Sequence, residues 1–311
     1  MGDASSWNET TRAERERQVE RLRDRYEDCD CCPHDCHVDR TSGELGRCRE
    51  DDTASVGSQG PHFGEEPPLS GTAGSGTIFL GNCNLDCVFC QNWELSQHAR
   101  DTTERTPREI ADIALDLESQ GCHNVNFVTP THVTPNLAEA IVLARDDGLS
   151  IPVVWNCGGF ENEGVIRDLD GLVDIYMPDV KWADDEAARR YSKASGYWDA
   201  ARASLREMHR QVGDLQIDDE GLATRGLLVR HLVVPGFAEN AKRIVDFLVE
   251  EISPETYCNL MAQYRPAYQV GRDGRYEEID RRVSGEEYRE VVEYARERGM
   301  TNLLTDEPLF P

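Results

Sequence analysis

Phe79-Leu80-Gly81-Asn82-Cys83-Asn84-Leu85-Asp86-Cys87-Val88-Phe89-Cys90-Gln91-Asn92 is the stretch on which the rest of the chain turns. Its three cysteines form a CxxxCxxC array directly after a short apolar run, Thr77–Leu80. Three thiolates can ligate three irons of a cubane and leave the fourth iron open. Clusters that only carry electrons normally use four cysteines. A missing fourth ligand therefore points to another molecule binding that iron. The plain alternative is a zinc knuckle or a set of structural cysteines. The place of the triplet, after the first strand of a longer pattern, favours the cluster.

That longer pattern alternates strands with helices. Further apolar runs of strand length lie at Val125–Val128, Pro152–Trp155, Ile175–Met177, Leu227–Val234 and Asn259–Ala262. Helical patterns separate them. One opens at Thr106-Pro107-Arg108-Glu109, a capping box with proline at the first helical position. Others open at Thr134-Pro135, cover about 184–211 and 240–252, and open at a second capping box, Ser284-Gly285-Glu286-Glu287. Six strands each followed by helical or loop material indicate a parallel sheet with right-handed crossovers, able to curl into an open (β/α)6 barrel. The expected division is a charged helical leader at 1–28 with few apolar residues, a Cys-rich segment and Gly/Pro-rich loop at 29–76, and the barrel at 77–311. The 49–76 stretch shows almost no apolar periodicity and reads as a long loop.

Composition limits the partners. The chain has 311 residues, 33 basic against 59 acidic, and a net charge of −26; only Lys181, Lys193 and Lys242 are lysines. An acidic, lysine-poor surface suits concentrated salt, where the Debye length falls to roughly 3 Å and self-repulsion is screened. No basic stripe suggests nucleic acid. The polar N-terminus has no signal core, and no run of about 18 apolar residues suggests a membrane span. A cytoplasmic protein is expected, in which eleven cysteines more often bind metal than pair as disulfides.

The triplet, with aromatic Phe89 before its third cysteine, resembles the signature of the radical S-adenosylmethionine (SAM) superfamily. In that superfamily the amino and carboxylate groups of SAM chelate the open iron of a [4Fe–4S] cluster. Reduction then splits the sulfonium into methionine and a 5′-deoxyadenosyl radical, which takes hydrogen from the substrate. The resemblance narrows toward relatives of the pyruvate formate-lyase activating enzyme. It does so through His62-Phe63-Gly64-Glu65-Glu66-Pro67-Pro68, Met177-Pro178-Asp179-Val180-Lys181, Arg230-His231-Leu232-Val233-Val234-Pro235-Gly236 and Met261-Ala262-Gln263-Tyr264-Arg265-Pro266. It implies a partial TIM-like barrel, an electron donor of flavodoxin or ferredoxin type, and a glycyl radical protein as substrate. A radical SAM enzyme acting on a small molecule and a zinc-binding structural protein are the rival readings.

Ligands of parallel barrels bind at the carboxyl ends of the strands. There the resemblance implies SAM contacts from Phe89, Thr129, Thr131, Asn156, Asp179, Lys181, Arg230 and Gln263. Thr129-Pro130-Thr131-His132 stands where the superfamily commonly carries a Gly-Gly-Glu-like segment. Asp179 and Lys181 resemble an Asp-x-Lys pair near SAM; two apart on a strand, they share a face. His132 reads as a polar loop residue, and Cys122, Cys157 and Cys258 as small core residues, with a thiol donor as the alternative for Cys157.

Cys29, Cys32, Cys36 and Cys48 lie in a second array, CxxCxxxC-x11-C. The related proteins share this arrangement, which leaves Cys31 as an extra thiol. Four thiolates on a short loop can close a zinc site or hold an auxiliary iron–sulfur cluster, and soft sulfur suits both. His34 and His37 are possible substitutes for one thiolate.

Overall fold

The computed structural model describes Trp7 and residues 10–306. Among the described residues ten strands make one sheet: β1 Ala54–His62, β2 Ser75–Leu80, β3 Thr103–Arg105, β4 Val125–Val128, β5 Val153–Cys157, β6 Ile175–Pro178, β7 Gln216–Ile217, β8 Ala223–Leu232, β9 Tyr257–Met261 and β10 Leu303–Thr305. The six expected apolar runs are β2, β4, β5, β6, β8 and β9, adjacent in that order and parallel throughout. Parallel β10 extends this row beyond β9. Antiparallel β1 and then β3 extend it beyond β2, so the ladder runs open from β10 to β3. The architecture is a partial TIM-like barrel.

Period-two alternation sorts each strand into two faces. Val153, Trp155, Tyr176, Leu227, Val229, Cys258 and Leu260 join the large core under the helices. Their neighbours Val154, Ile175, Met177 and Leu228 form a separate apolar cluster with Leu69 on the concave face. One pleat further along, that face turns polar, with Asn156 after Val154, Asp179 after Met177, and Arg230 after Leu228. An apolar floor thus carries a polar rim.

Local chemistry explains the helix starts. Thr106 and Ser284 each cap a helix, Pro107–Ser119 and Gly285–Glu297, in a capping box closed by both hydrogen bonds. Thr11 does the same for Arg12–Asp24. That leader helix buries Leu22 in the main core, but much of its docking is polar, through Gln18 to the Asp170 carbonyl and Arg21 and Arg25 to Asp168.

Two expectations need correction. The 49–76 stretch is not one long loop. It carries β1, which pairs with β2 over His62–Val56, and the turn of helix Pro67–Ser70, whose Leu69 plugs the barrel floor. Only Ala54–Val56 are buried and Ser58–His62 are largely exposed on both faces, so the strand carries no apolar alternation, which hid it. The helix expected over about 184–211 is broken. A turn at Ala188–Ser192 ends on left-handed Lys193, Gly196 is also left-handed, and the main helix is Tyr197–Val212. The break frees the Tyr191 and Ser192 carbonyls to accept from the Val88 and Asp86 N–H groups of the cysteine loop.

Candidate functional site

The carboxyl ends of the parallel strands surround a cleft of about 310 Å³. Cys83, Cys87 and Cys90 line it together with Phe89, Thr129, Asn156, Asp179, Lys181, Arg230 and Gln263. Thr131 is not among them; it is fully buried, and its hydroxyl donates to Glu161 Oε1 at 2.7 Å.

The cysteine loop is held from several sides. Asn82 enters it in a left-handed conformation (φ 60°). Asp86 and Val88 hang from the broken-helix carbonyls at 3.1 and 2.8 Å. Phe89 packs against Trp182 and Tyr264. Each sulfur has a hydrogen-bonding neighbour: the Leu85 N–H points to Cys83 Sγ at 3.3 Å, Ser192 Oγ lies 3.1 Å from Cys87 Sγ, and Ser96 Oγ lies 3.1 Å from Cys90 Sγ. Trp182 Nε1–H donates to Ser192 Oγ, which leaves the serine proton free for a Cys87 thiolate. Burial pushes the Cys83 thiol well up and the Cys87 thiol up to about 11, so without a metal both stay protonated. Hydrogen bonds to thiolate sulfur tune a cluster's potential.

A fourth cysteine, Cys157, also borders the cleft. Its thiol is engaged by the buried Glu161 carboxyl, which burial raises to about 7 against the hydrogen bonds from Thr131 and Cys157. With Cys157 engaged in this way, Cys83, Cys87 and Cys90 are the three candidate metal-ligating thiols at the cleft.

On the rim, Arg230 Nε donates to Asp179 Oδ1 at 2.6 Å, Nη1 to Glu65 Oε2 at 3.2 Å, and Nη2 to Asn156 Oδ1 at 2.7 Å. Lys181 Nζ donates to the other Asp179 oxygen at 2.8 Å. Burial alone would raise the Asp179 carboxyl, but the charges of Arg230 and Lys181 overcome it and bring it to about 2. Thr129 adopts φ 65°, rare for a β-branched residue, while its N–H donates to the Asn156 carbonyl at 2.8 Å. Such strain persists only where surroundings enforce it, and it clusters at ligand sites. Gly159 (φ 73°) has no room for a side chain; a Cβ would sit 2.6 Å from the Asp179 carbonyl oxygen and 2.7 Å from Tyr197 Oη. Tyr197 Oη joins the strand ends, donating to the Gly158 or Asp179 carbonyl and accepting from Lys181 N–H.

His132 is buried, donates to the Gly81 carbonyl, and is pushed down to about 3 by burial and by Arg40. It supports the cysteine loop without reaching the cleft lining. Cys122 and Cys258 lie in the main core. Cys29, Cys31, Cys32 and Cys48 are buried and Cys36 half-buried, on a segment packed against the cysteine loop. Among the described residues no three Cys, His, Asp or Glu side chains stand at the spacing of one bound ion.

Sequence reasoning missed Ser96, Ser192, Tyr197, Glu65 and Glu161. Glu65 sits in a quoted motif, so its place beside the rim had a signal. The others act through backbone breaks and tertiary approach that no local pattern announces.

The family model described as "Radical SAM superfamily" matches residues 77–248. An uncharacterized protein of Methanocaldococcus jannaschii is 32% identical over 285 residues, 89% of this chain and 77% of that protein. Among solved structures, SuiB of Streptococcus suis bound to the precursor peptide SuiA gives a TM-score of 0.50 at 13% identity, covering 72% of this chain and 46% of SuiB. HydG, a maturase of the [FeFe]-hydrogenase, gives 0.50 at 11% identity, covering 96% of this chain and 64% of HydG. The chain thus spans about half the length of SuiB, and both likenesses concern the fold. No helix among the described residues is long and apolar enough to cross a membrane.

Proposed function

The chain belongs to the radical SAM superfamily, and from that premise we propose that Cys83, Cys87 and Cys90 hold the [4Fe–4S] cluster and that the adjoining rim seats SAM. The observation that carries the assignment is the convergence of three sulfurs, each with a hydrogen-bonding neighbour, beside a cleft whose other wall is charged. Cluster and SAM, when bound, supply the electron and the cleavable sulfonium from which the hydrogen-abstracting 5′-deoxyadenosyl radical arises. The protein binds, orients and excludes water.

The residues divide that work. Lys181 and Asp179 share the rim, so the carboxylate oxygen and the amino N–H groups that SAM would keep free of the iron would meet the Lys181 ammonium and the Asp179 carboxylate. Arg230 serves by holding Asp179 and Asn156 in place, because Nε, Nη1 and Nη2 are all engaged. The strained Thr129 backbone and Gln263 border the same seat. Phe89, wedged against Trp182 and Tyr264, fixes the loop beside the third thiol.

Room in the cleft bears on the substrate. About 310 Å³ is at the low end for one drug-sized ligand, and SAM already is one. The cleft is partly open to the surface beside that seat, and an open approach suits a polypeptide, as in a glycyl radical activase, with a flavodoxin- or ferredoxin-type protein as electron donor. The N-terminal cysteines hold a second metal, zinc or an auxiliary cluster. The acidic surface belongs to a cytoplasmic protein of a salt-rich cell.

Incubating reduced holoenzyme and SAM with the host's soluble proteins tests the activase reading. A glycyl-type doublet by electron paramagnetic resonance on a partner protein is expected. Formation of 5′-deoxyadenosine with no protein radical, while a small molecule is consumed, would retire it.

A further inference from the structure

The segment 29–50 has almost no core of its own. Its apolar cluster is Tyr26, Cys29 and Cys31 with Val38 packed beside them. Yet its backbone is tightly turned, with Cys29 N–H to the Val38 carbonyl and His37 N–H to the Cys29 carbonyl. A Cβ on Gly46 would lie 3.6 Å from both Cys36 and Cys48 Sγ, so those sulfurs are at most roughly 7 Å apart. The Arg47 N–H points at Cys36 Sγ at 3.3 Å.

Arg40 sits inside this array, 0% exposed. Its donors end on the Asp51 and His132 carbonyls and, at 3.9 Å, on Cys29 Sγ, while its plane lies over the Tyr26 ring. Glu50 and Asp51 lie in its field, but among the described residues no carboxylate comes within ion-pair distance of it. A buried guanidinium with no carboxylate partner is costly unless another anion stands beside it. Thiolates bound to a metal would supply the missing negative charge at that place.

The same segment grips the cysteine loop. His34 Nε2–H donates to the Asn84 carbonyl at 2.8 Å, and Glu50 accepts from Asn82 Nδ2 at 2.9 Å. Arg49 donates to the Ser96 carbonyl and Gln97 and pairs with Asp86 at 3.6 Å. These contacts flank Cys83 and Cys87 and reach the serine beside Cys90.

We infer that Cys29, Cys32, Cys36 and Cys48 bind a thiophilic metal centre as thiolates with Arg40 as its countercharge, and that this centre clamps the loop on which Cys83, Cys87 and Cys90 stand. Zinc and an iron–sulfur cluster share this chemistry, since four thiolates leave either centre net negative; the cysteines do not stand at the spacing of one bound ion, so binding has to draw them together. Metal binding orders a segment too small to fold alone, and the ordered segment fixes the neighbouring loop. The inference deepens the proposed function and rests on its assignment of the first site.

The test is anaerobic reconstitution of the full chain with zinc, iron and sulfide, reading metal and labile sulfide per chain. In a variant with Cys83→Ala, Cys87→Ala and Cys90→Ala, the second centre stays, as about one zinc or about four irons with sulfide, and gives no spectral response to SAM. Cys48→Ser loses that centre and also at least half of the iron at the first site, whose cysteines are intact. Arg40→Gln releases the second metal to a chelator about 10–100-fold more readily, and Arg40→Lys less so, with circular dichroism confirming that both fold. No metal in the triple variant overturns the second centre. Full first-site iron in Cys48→Ser overturns the clamp, and unchanged chelator resistance in Arg40→Gln overturns the countercharge. Failure of the first-site assignment has a separate signature: wild type inert toward SAM while the triple variant still holds metal.

Discussion

Glu161 shows what burial does to one residue. Its carboxyl is raised from an ordinary value of 4.5 to about 7, so the folded chain keeps a proton there that the unfolded chain has lost. Stability from this group is therefore undiminished below about pH 4.5, declines as pH rises, and reaches its full cost above about pH 7. That cost is about 3 kcal/mol at 1.36 kcal/mol per unit. Glu161→Gln, a neutral mimic of the protonated acid, is expected to match wild type near pH 5 and to exceed it at pH 8. Urea unfolding at the two pH values checks this; an equal difference at both would contradict it. Residues of this kind were hard to read in sequence. The two cysteine arrays, Asp179, Lys181 and Arg230 carry their chemistry in their side chains and were legible. Glu161 becomes special only because Thr131 and Cys157 fold around it.

At the scale of elements, the six parallel strands and the capped helices followed from periodicity and from Thr106–Glu109 and Ser284–Glu287. Elements set by tertiary demand did not. The segment from His62 to Ser70 reads as loop, yet it runs from β1 to the barrel floor, where Leu69 fills the space between Val154, Ile175, Met177 and Leu228. The rim above rests on that floor. Leu69→Ala should destabilise the fold by about 2–5 kcal/mol through lost burial and the cavity left behind. Thermal unfolding of variant and wild type measures it. A loss under about 0.5 kcal/mol would mean the floor is not packed as described. The break between Ala188 and Gly196 was equally invisible, since its cause is the pair of hydrogen bonds donated by Asp86 and Val88 from another part of the chain.

For the whole molecule, the charge of −26 acts through long-range repulsion, which salt screens. Molar potassium chloride is expected to raise the melting temperature by about 5 °C over low salt, and a flat or falling curve would contradict the salt-rich reading. Fold and central chemistry share one premise, that the sheet delivers three sulfurs to one side of a cleft and leaves the rim for a ligand. The most direct test is anaerobic reconstitution followed by reduction and addition of SAM, with electron paramagnetic resonance and a 5′-deoxyadenosine assay on the same sample. The account predicts a changed cluster spectrum on SAM addition and 5′-deoxyadenosine in wild type, and neither the change nor the product in Cys87→Ser. A wild-type cluster indifferent to SAM, or a Cys87→Ser protein as active as wild type, would contradict it.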